Sequence, residues 1–144
     1  MGDGLIFLRI EKKLVILYYC LTLKFPAMKT HKDLDVWKIS IEFVKDIYVL
    51  TSSFPSEEKF GITSQLRRAS VSIPTNIAEG AARGSTKDFI RFLYIALGSL
   101  SEVETLLIIT VKLNYGTINV MDEKIIEIRR KLINLIKSLK LGNN

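Results

Sequence analysis

With a single cysteine, Cys20, and a single histidine, His31, the chain cannot close a disulfide within itself or supply four soft ligands to one zinc ion. The same shortage removes Ser-His-Asp and Cys-His catalysis unless His31 alone serves them. That residue sits in the charged segment MKTHKDLD, where a solvated or capping role is the simpler reading. No metal or other cofactor is expected. Prolines number three and glycines eight against 48% hydrophobic residues, so chain punctuation is sparse. This balance favours long helices over a many-stranded sheet. Long apolar runs are also missing. Leu14 to Leu23 spans ten residues, short of the about 20 that a membrane-crossing helix needs, and no membrane role is expected.

The ten-residue run, flanked by Lys12 and Lys13, has the length of a secretory leader, but Lys24, Phe25 and Pro26 follow it without a small-residue cleavage site. We read residues 1–27 as an extension outside the domain, with Met28 as the natural start and a leader as the alternative. Residues 28–144 form one domain, expected in the cytoplasm. The formal charge is +6, of which the first 27 residues hold +2. This mild basic bias suits a polyanion partner without requiring one.

Four helices are predicted from apolar residues recurring every three or four positions. The first covers Asp33 to Ser53 and carries two adjacent apolar lines, Leu34, Trp37, Ile41, Val44 and Tyr48 beside Val36, Phe43, Ile47 and Leu50. So broad a face suits contact with two neighbours or with a second subunit. The second is capped by Thr63 or Ser64 and lines up Leu66, Ile73, Ile77 and Gly80 opposite Gln65, Arg68, Ser72, Asn76, Glu79 and Arg83. Pro74 interrupts it from within, crowding the carbonyl of Ser70, and a kink is expected there. Gly80 and Gly84 close this helix. Ser85 opens the next, with Asp88 three positions on. The third helix runs from Thr86 to Asn114, and its Gly98, Ser99 and Ser101 form a small-residue patch that would meet the Ala and Gly side of the second. The fourth runs from about Asp122 to Leu141, with acids early and bases late, as the helix dipole favours. Short connections make this an all-α, up-down-up-down antiparallel four-helix bundle with a Pro-kinked second helix.

The segments DLDVWKISIEFVKDIY, SQLRRASVSIPTNIAEG and FIRFLYIALGSLSEVET carry a resemblance as well as a pattern. Leu34-x-x-Trp37, then Gln65-Leu66-Arg67-Arg68-Ala69, then Pro74-x-Asn76-Ile77-Ala78-Glu79-Gly80, then Gly98-Ser99 followed by Glu102 stand in one order over Leu34 to about Leu139. In this the chain resembles the four-helix-bundle family of 23S rRNA intervening-sequence proteins, with no internal departure. The resemblance implies a bacterial reading frame lying in an insertion of a 23S rRNA gene, or a dispersed relative, and assembly as a homopentamer. It also implies kinship in fold with the accessory variability determinant of diversity-generating retroelements, which acts with a reverse transcriptase and nucleic acid. The motif positions Trp37, Pro74, Asn76, Glu79, Gly80, Gly98, Ser99 and Glu102 are candidates for helix packing or assembly.

Two functions follow as expectations. Arg67, Arg68, Arg83, Lys87 and Arg91 set five bases against Glu79 and Asp88, with Arg129 and Arg130 held in reserve, which suits a non-catalytic oligomer binding RNA or DNA through a basic surface. Against this, Glu79 and Arg83 can pair along their helix, and Arg67 or Arg68 can pair with an acid of a neighbour. The alternative is a structural or protein-interaction scaffold. An enzyme is third: Glu79, Glu102 and Glu104 could converge as metal ligands, but the di-iron pattern needs histidines that no helix supplies.

Overall fold

Alternation of apolar and polar turns, rather than any long-range signal, builds this fold. The computed structural model describes residues 30–115 and 119–141, so the extension read at 1–27 lies outside the described residues. A short 3-10 turn, His31–Asp33, leads into α1, Asp35–Thr51; a second, Ser56–Lys59, leads into α2, Ile62–Ala81; α3 is Thr86–Lys112 and α4 is Asn119–Leu141. Among the described residues there are four α-helices and no strand.

The caps explain the boundaries. Thr30 accepts from the N–H of Lys32 and donates its own backbone N–H to Asp33 at 2.8 Å, a reciprocal box that fixes the approach to α1. His31 lies within this turn, and its ring meets Trp37 edge to face, 5.1 Å between centroids. At α2 the expected Thr63 or Ser64 cap is replaced. The helix starts earlier, at Ile62, whose N–H donates to Glu58 Oε2 at 3.1 Å, and Thr63 is buried. Ser85 caps α3 as the sequence suggests, accepting from the N–H of Asp88 at 3.1 Å and donating to its carboxylate at 2.7 Å. α3 ends at Lys112, and Asn114 follows at φ 58°, a left-handed residue that ends the run.

Each helix packs against the two beside it, α2 with α3 most extensively, and among the described residues no close approach crosses the diagonal. Cross-helix pairs run in opposite senses. Thr51 meets Arg67 near one end of α1 and α2, Ser72 meets Ser99 midway along α2 and α3, Tyr94 meets Lys140, and Asp46 and Asp35 meet Lys124 and Lys131. Neighbouring helices are therefore antiparallel. Phe43, Ile47, Leu66, Ile73, Ile77, Leu93, Leu100, Leu107, Ile128 and Leu132 are fully buried between them. Burial of this kind, at about 1.5–3 kcal/mol per large side chain, is the main force holding the four helices together.

Of the two apolar lines on α1, the core takes Val36, Phe43 and Ile47, with Ser40 between them satisfied by donating to Val36 O at 2.6 Å. The other line is divided: Leu34 and Trp37 pack half-buried against the core, whereas Ile41 and Tyr48 are 40% and 43% exposed. α2 runs through Pro74 without interruption. The proline is buried, and with Trp37, Ile41, Val44, Val71, Thr75 and Ala78 it lines an apolar groove between α1 and α2 of about 240 Å³.

One glycine matters for packing. Gly80 lies inside α2 rather than ending it, and a Cβ there would sit 2.6 Å from Phe92 Cβ and 2.9 Å from Phe89 Cδ2 of α3. Gly98, expected at the same interface, faces open space, with nothing within 4 Å of an added Cβ. Ser99 alone of that small-residue patch is buried against α2, sharing a 2.8 Å hydrogen bond with Ser72, while Asn76 Nδ2 donates to Ser72 O at 2.7 Å and to Ser72 Oγ at 2.9 Å.

Candidate nucleic-acid interface

Seven basic residues are the sequence candidates, and the fold sorts them. Arg67 emerges from α2 toward α1. Its Nε donates to Thr51 Oγ1 at 2.8 Å, and its guanidinium lies 4.6 Å from the centroid of Tyr48. The expected acidic partner is thus replaced by a hydroxyl and a ring. Arg83 pairs with Glu79 one turn back, as the spacing suggests, and stacks 4.9 Å from the Phe92 centroid. Arg129 reaches from α4 to Glu104 of α3 at 2.6 Å. Three of the seven are therefore engaged in holding helices to one another.

Arg67→Ala should lower the unfolding free energy by about 1–2 kcal/mol, through loss of a ring stack and a side-chain hydrogen bond. A urea midpoint unchanged from wild type would show that the stack contributes nothing.

Arg68, Lys87, Arg91 and Arg130 are exposed and have no ion-pair partner among the described residues. They do not form one patch. Lys87 and Arg91 open α3, whereas Arg68 lies in the first half of α2 and Arg130 midway along α4. Of the packing candidates, Trp37 and Pro74 line the α1/α2 groove, Asn76 and Ser99 build the polar contact to α3, Gly80 permits its close approach, and Glu102 is exposed. Glu79 and Glu104 are taken by arginines, and no cluster of three potential metal ligands occurs among the described residues. Glu102 is exposed, so Glu79, Glu102 and Glu104 do not converge in the core.

The antiparallel order produces something the linear sequence hides. The start of α1, end of α2, start of α3 and end of α4 share one end of the bundle. Residues 30–41, 75–96 and 131–141 there hold eight basic and four acidic residues. The other end, residues 42–74, 97–115 and 119–130, holds eight basic and nine acidic residues. Much of the exposed apolar surface lies toward that second end, at Tyr48, Val49, Phe60, Ile108, Ile109, Val111, Leu113 and Ile126. One end is basic and the other is nearly neutral and apolar. The outer face of α3 joins them, and this helix is long and apolar enough to cross a membrane by length and composition, although its inner side forms part of the bundle core.

Sequence reasoning misses Lys137 and Lys140 as surface candidates because their place at the end of α4 already has an explanation in the helix dipole. The structure sets Lys140 Nζ 3.1 Å from the hydroxyl of Tyr94 and 5.4 Å from its ring centroid, across from α3. Equal spacing along two antiparallel helices could have signalled this, but only with the register known.

No curated protein matches the chain. Among solved structures, a crystal structure of a protein of unknown function from the S23 ribosomal protein family of Bacteroides thetaiotaomicron is 33% identical and superposes with a TM-score of 0.66. The match covers 71% of this chain and 95% of that one. The family model described as 23S rRNA-intervening sequence protein matches residues 32–138, from the first 3-10 turn almost to the end of α4. That span takes in three helices whole, all but the last three residues of α4, and every motif of the resemblance, and on it the chain belongs to the 23S rRNA-intervening sequence protein family.

Proposed function

We propose that this protein is a non-catalytic, self-assembling bundle that binds RNA or DNA weakly and without sequence preference, as a homopentamer in the cytoplasm. The observation that carries the reading is the set of exposed bases, Arg68, Lys87, Arg91 and Arg130, with no acidic partner among the described residues. Unpaired surface cations are the groups that release counterions from a phosphate backbone. A single copy offers few of them. Repetition around a ring would multiply the contacts and raise avidity without any new chemistry.

Size exclusion with light scattering gives the oligomer, and fluorescence anisotropy with labelled mixed-sequence RNA and DNA gives the affinity. With about four phosphate contacts on a single strand, affinity should fall by about 50-fold between 50 and 200 mM salt. Absence of binding at 50 mM salt would sink the reading. A second reading, a protein-interaction scaffold, is supported by the apolar α1/α2 groove and by Ile108, Ile109 and Ile126, which are 51%, 41% and 64% exposed. Surplus apolar surface of this kind serves association with another protein surface, whether a second copy or a different chain.

A further inference from the structure

We infer that the nucleic acid taken by this bundle is a single strand, bound at the basic end along a stripe made by Lys87, Arg91 and Tyr94 of α3 with Lys137 and Lys140 of α4. The inference rests on the nucleic-acid reading above and names its site and the form of its ligand. Lys87, Arg91 and Tyr94 stand at four- and three-residue steps, so they form one line on α3. Across the α3/α4 contact, Lys140 extends to the edge of Tyr94, and Lys137 lies one turn earlier on the same side of α4. The result is an aromatic ring between two basic rows.

Three features favour a strand with free bases. Tyr94 is 50% exposed, so about half of the residue is open to solvent with Lys140 Nζ 5.4 Å from the ring centroid. Gly98, one turn further along the same line, leaves open space where a side chain would otherwise stand against a stacked base. Phosphates can then follow the lysines and Arg91 on either side. Bases of a single strand stack on aromatic rings irrespective of sequence, whereas a duplex keeps its base faces stacked on one another and presents only phosphates. Of the two acids at this end of α2 and α3, Glu79 pairs with Arg83, while Asp88 accepts from Ser85 and keeps its charge. Lys87, Arg91, Lys137 and Lys140 outnumber that single carboxylate, so the stripe stays net positive toward an anionic backbone.

Binding of a labelled single strand and of a duplex of the same sequence would be measured for the full chain and three variants at several salt concentrations. Tyr94→Ala should weaken the single strand by about tenfold, within the range of one lost stack, and leave both the duplex and the salt slope unchanged. Tyr94→Phe should bind as wild type. The double variant Lys137→Glu with Lys140→Glu should weaken both forms and flatten the salt slope by about 1.4 on the single strand. Equal loss on single strand and duplex for Tyr94→Ala, or wild-type binding by both Tyr94→Ala and the double variant, would overturn the inference while leaving nucleic-acid binding intact. Loss of the oligomer on Tyr94→Ala would place the ring in an assembly contact and overturn it as well. Failure of the wild type to bind either form removes the underlying reading itself.

Discussion

Phe43→Ala should lower the unfolding free energy by about 3–5 kcal/mol, the range for emptying an aromatic site in a packed core. Phe43 is fully buried, and it stands at the middle of the core line of α1, between Ser40 and Ile47. Neither neighbour can fill the space. Ser40 is tied to the carbonyl of Val36, and Ile47 is already fully buried in its own site. The rest of the buried core comes mainly from three other helices, which would have to move together to close the gap. For a domain with typical stability of about 5–15 kcal/mol, the loss is a large fraction of the whole. Urea unfolding should show a lower midpoint at unchanged slope, and Ile47→Val should shift it by only about 0.5–1.5 kcal/mol. A Phe43→Ala loss below about 1 kcal/mol would mean that α1 is not packed as described.

Gly80→Leu should cost about 2–3 kcal/mol even though leucine is the better helix former by nearly 1 kcal/mol. The opposing atom decides the sign. Phe92 Cβ, 2.6 Å from where the new Cβ would lie, is fixed directly to the α3 backbone and cannot rotate aside as a side-chain tip can. Relief requires the two helices to separate along their most extensive contact. Phe89 would be displaced as well, and Arg83 would lose its bearing on the Phe92 ring. Thermal unfolding of Gly80→Leu beside Gly98→Leu is the informative comparison. The second substitution faces open space and should be neutral or slightly stabilising, so an equal loss at both positions would show that the cost comes from replacing glycine and not from the approach of α3.

Much of the fold is legible in the sequence because helical periodicity is a local signal. Leu66, Ile73 and Ile77 repeat at helical steps, and all three are fully buried. Ser85 with Asp88 announces the start of α3, and the cap forms as written. Choice of face is less legible. Both apolar lines on α1 have equal claim to the core by pattern, and only the positions of α2 and α4 decide that Phe43 is buried while Tyr48 supports Arg67. The α2 cap is missed because Glu58, four residues ahead of Ile62, reaches the helix start from an unforeseen 3-10 turn.

The candidate site is less legible still, since it depends on which cations the fold consumes. Arg67 and Arg68 are neighbours in sequence, yet one is held against Tyr48 and Thr51 while the other stays exposed. Arg129 and Arg130 divide in the same way. A helix turns about 100° per residue, so adjacent bases point apart and a dipeptide cannot be read as a patch. Conversely, Tyr94 and Lys140 are 46 residues apart and meet.

The shared hydroxyl contact of Ser72, Ser99 and Asn76 acts as a vernier. If α3 slid one turn along α2, about 5.4 Å, Ile95 or Val103 would take the place of Ser99, and Ser72 would lose its partner across the helices. Ser72 is half-buried and keeps the bond from Asn76, so the lost hydroxyl pair is worth about 0.5–1.5 kcal/mol, while Leu100 and Leu107 would tolerate the slip at smaller cost. This small polar clasp therefore supplies alignment more than strength. Because α3 also carries Tyr94 to Lys140 on its far side, a choice of notch made inside the bundle sets which residues stand together on its outside.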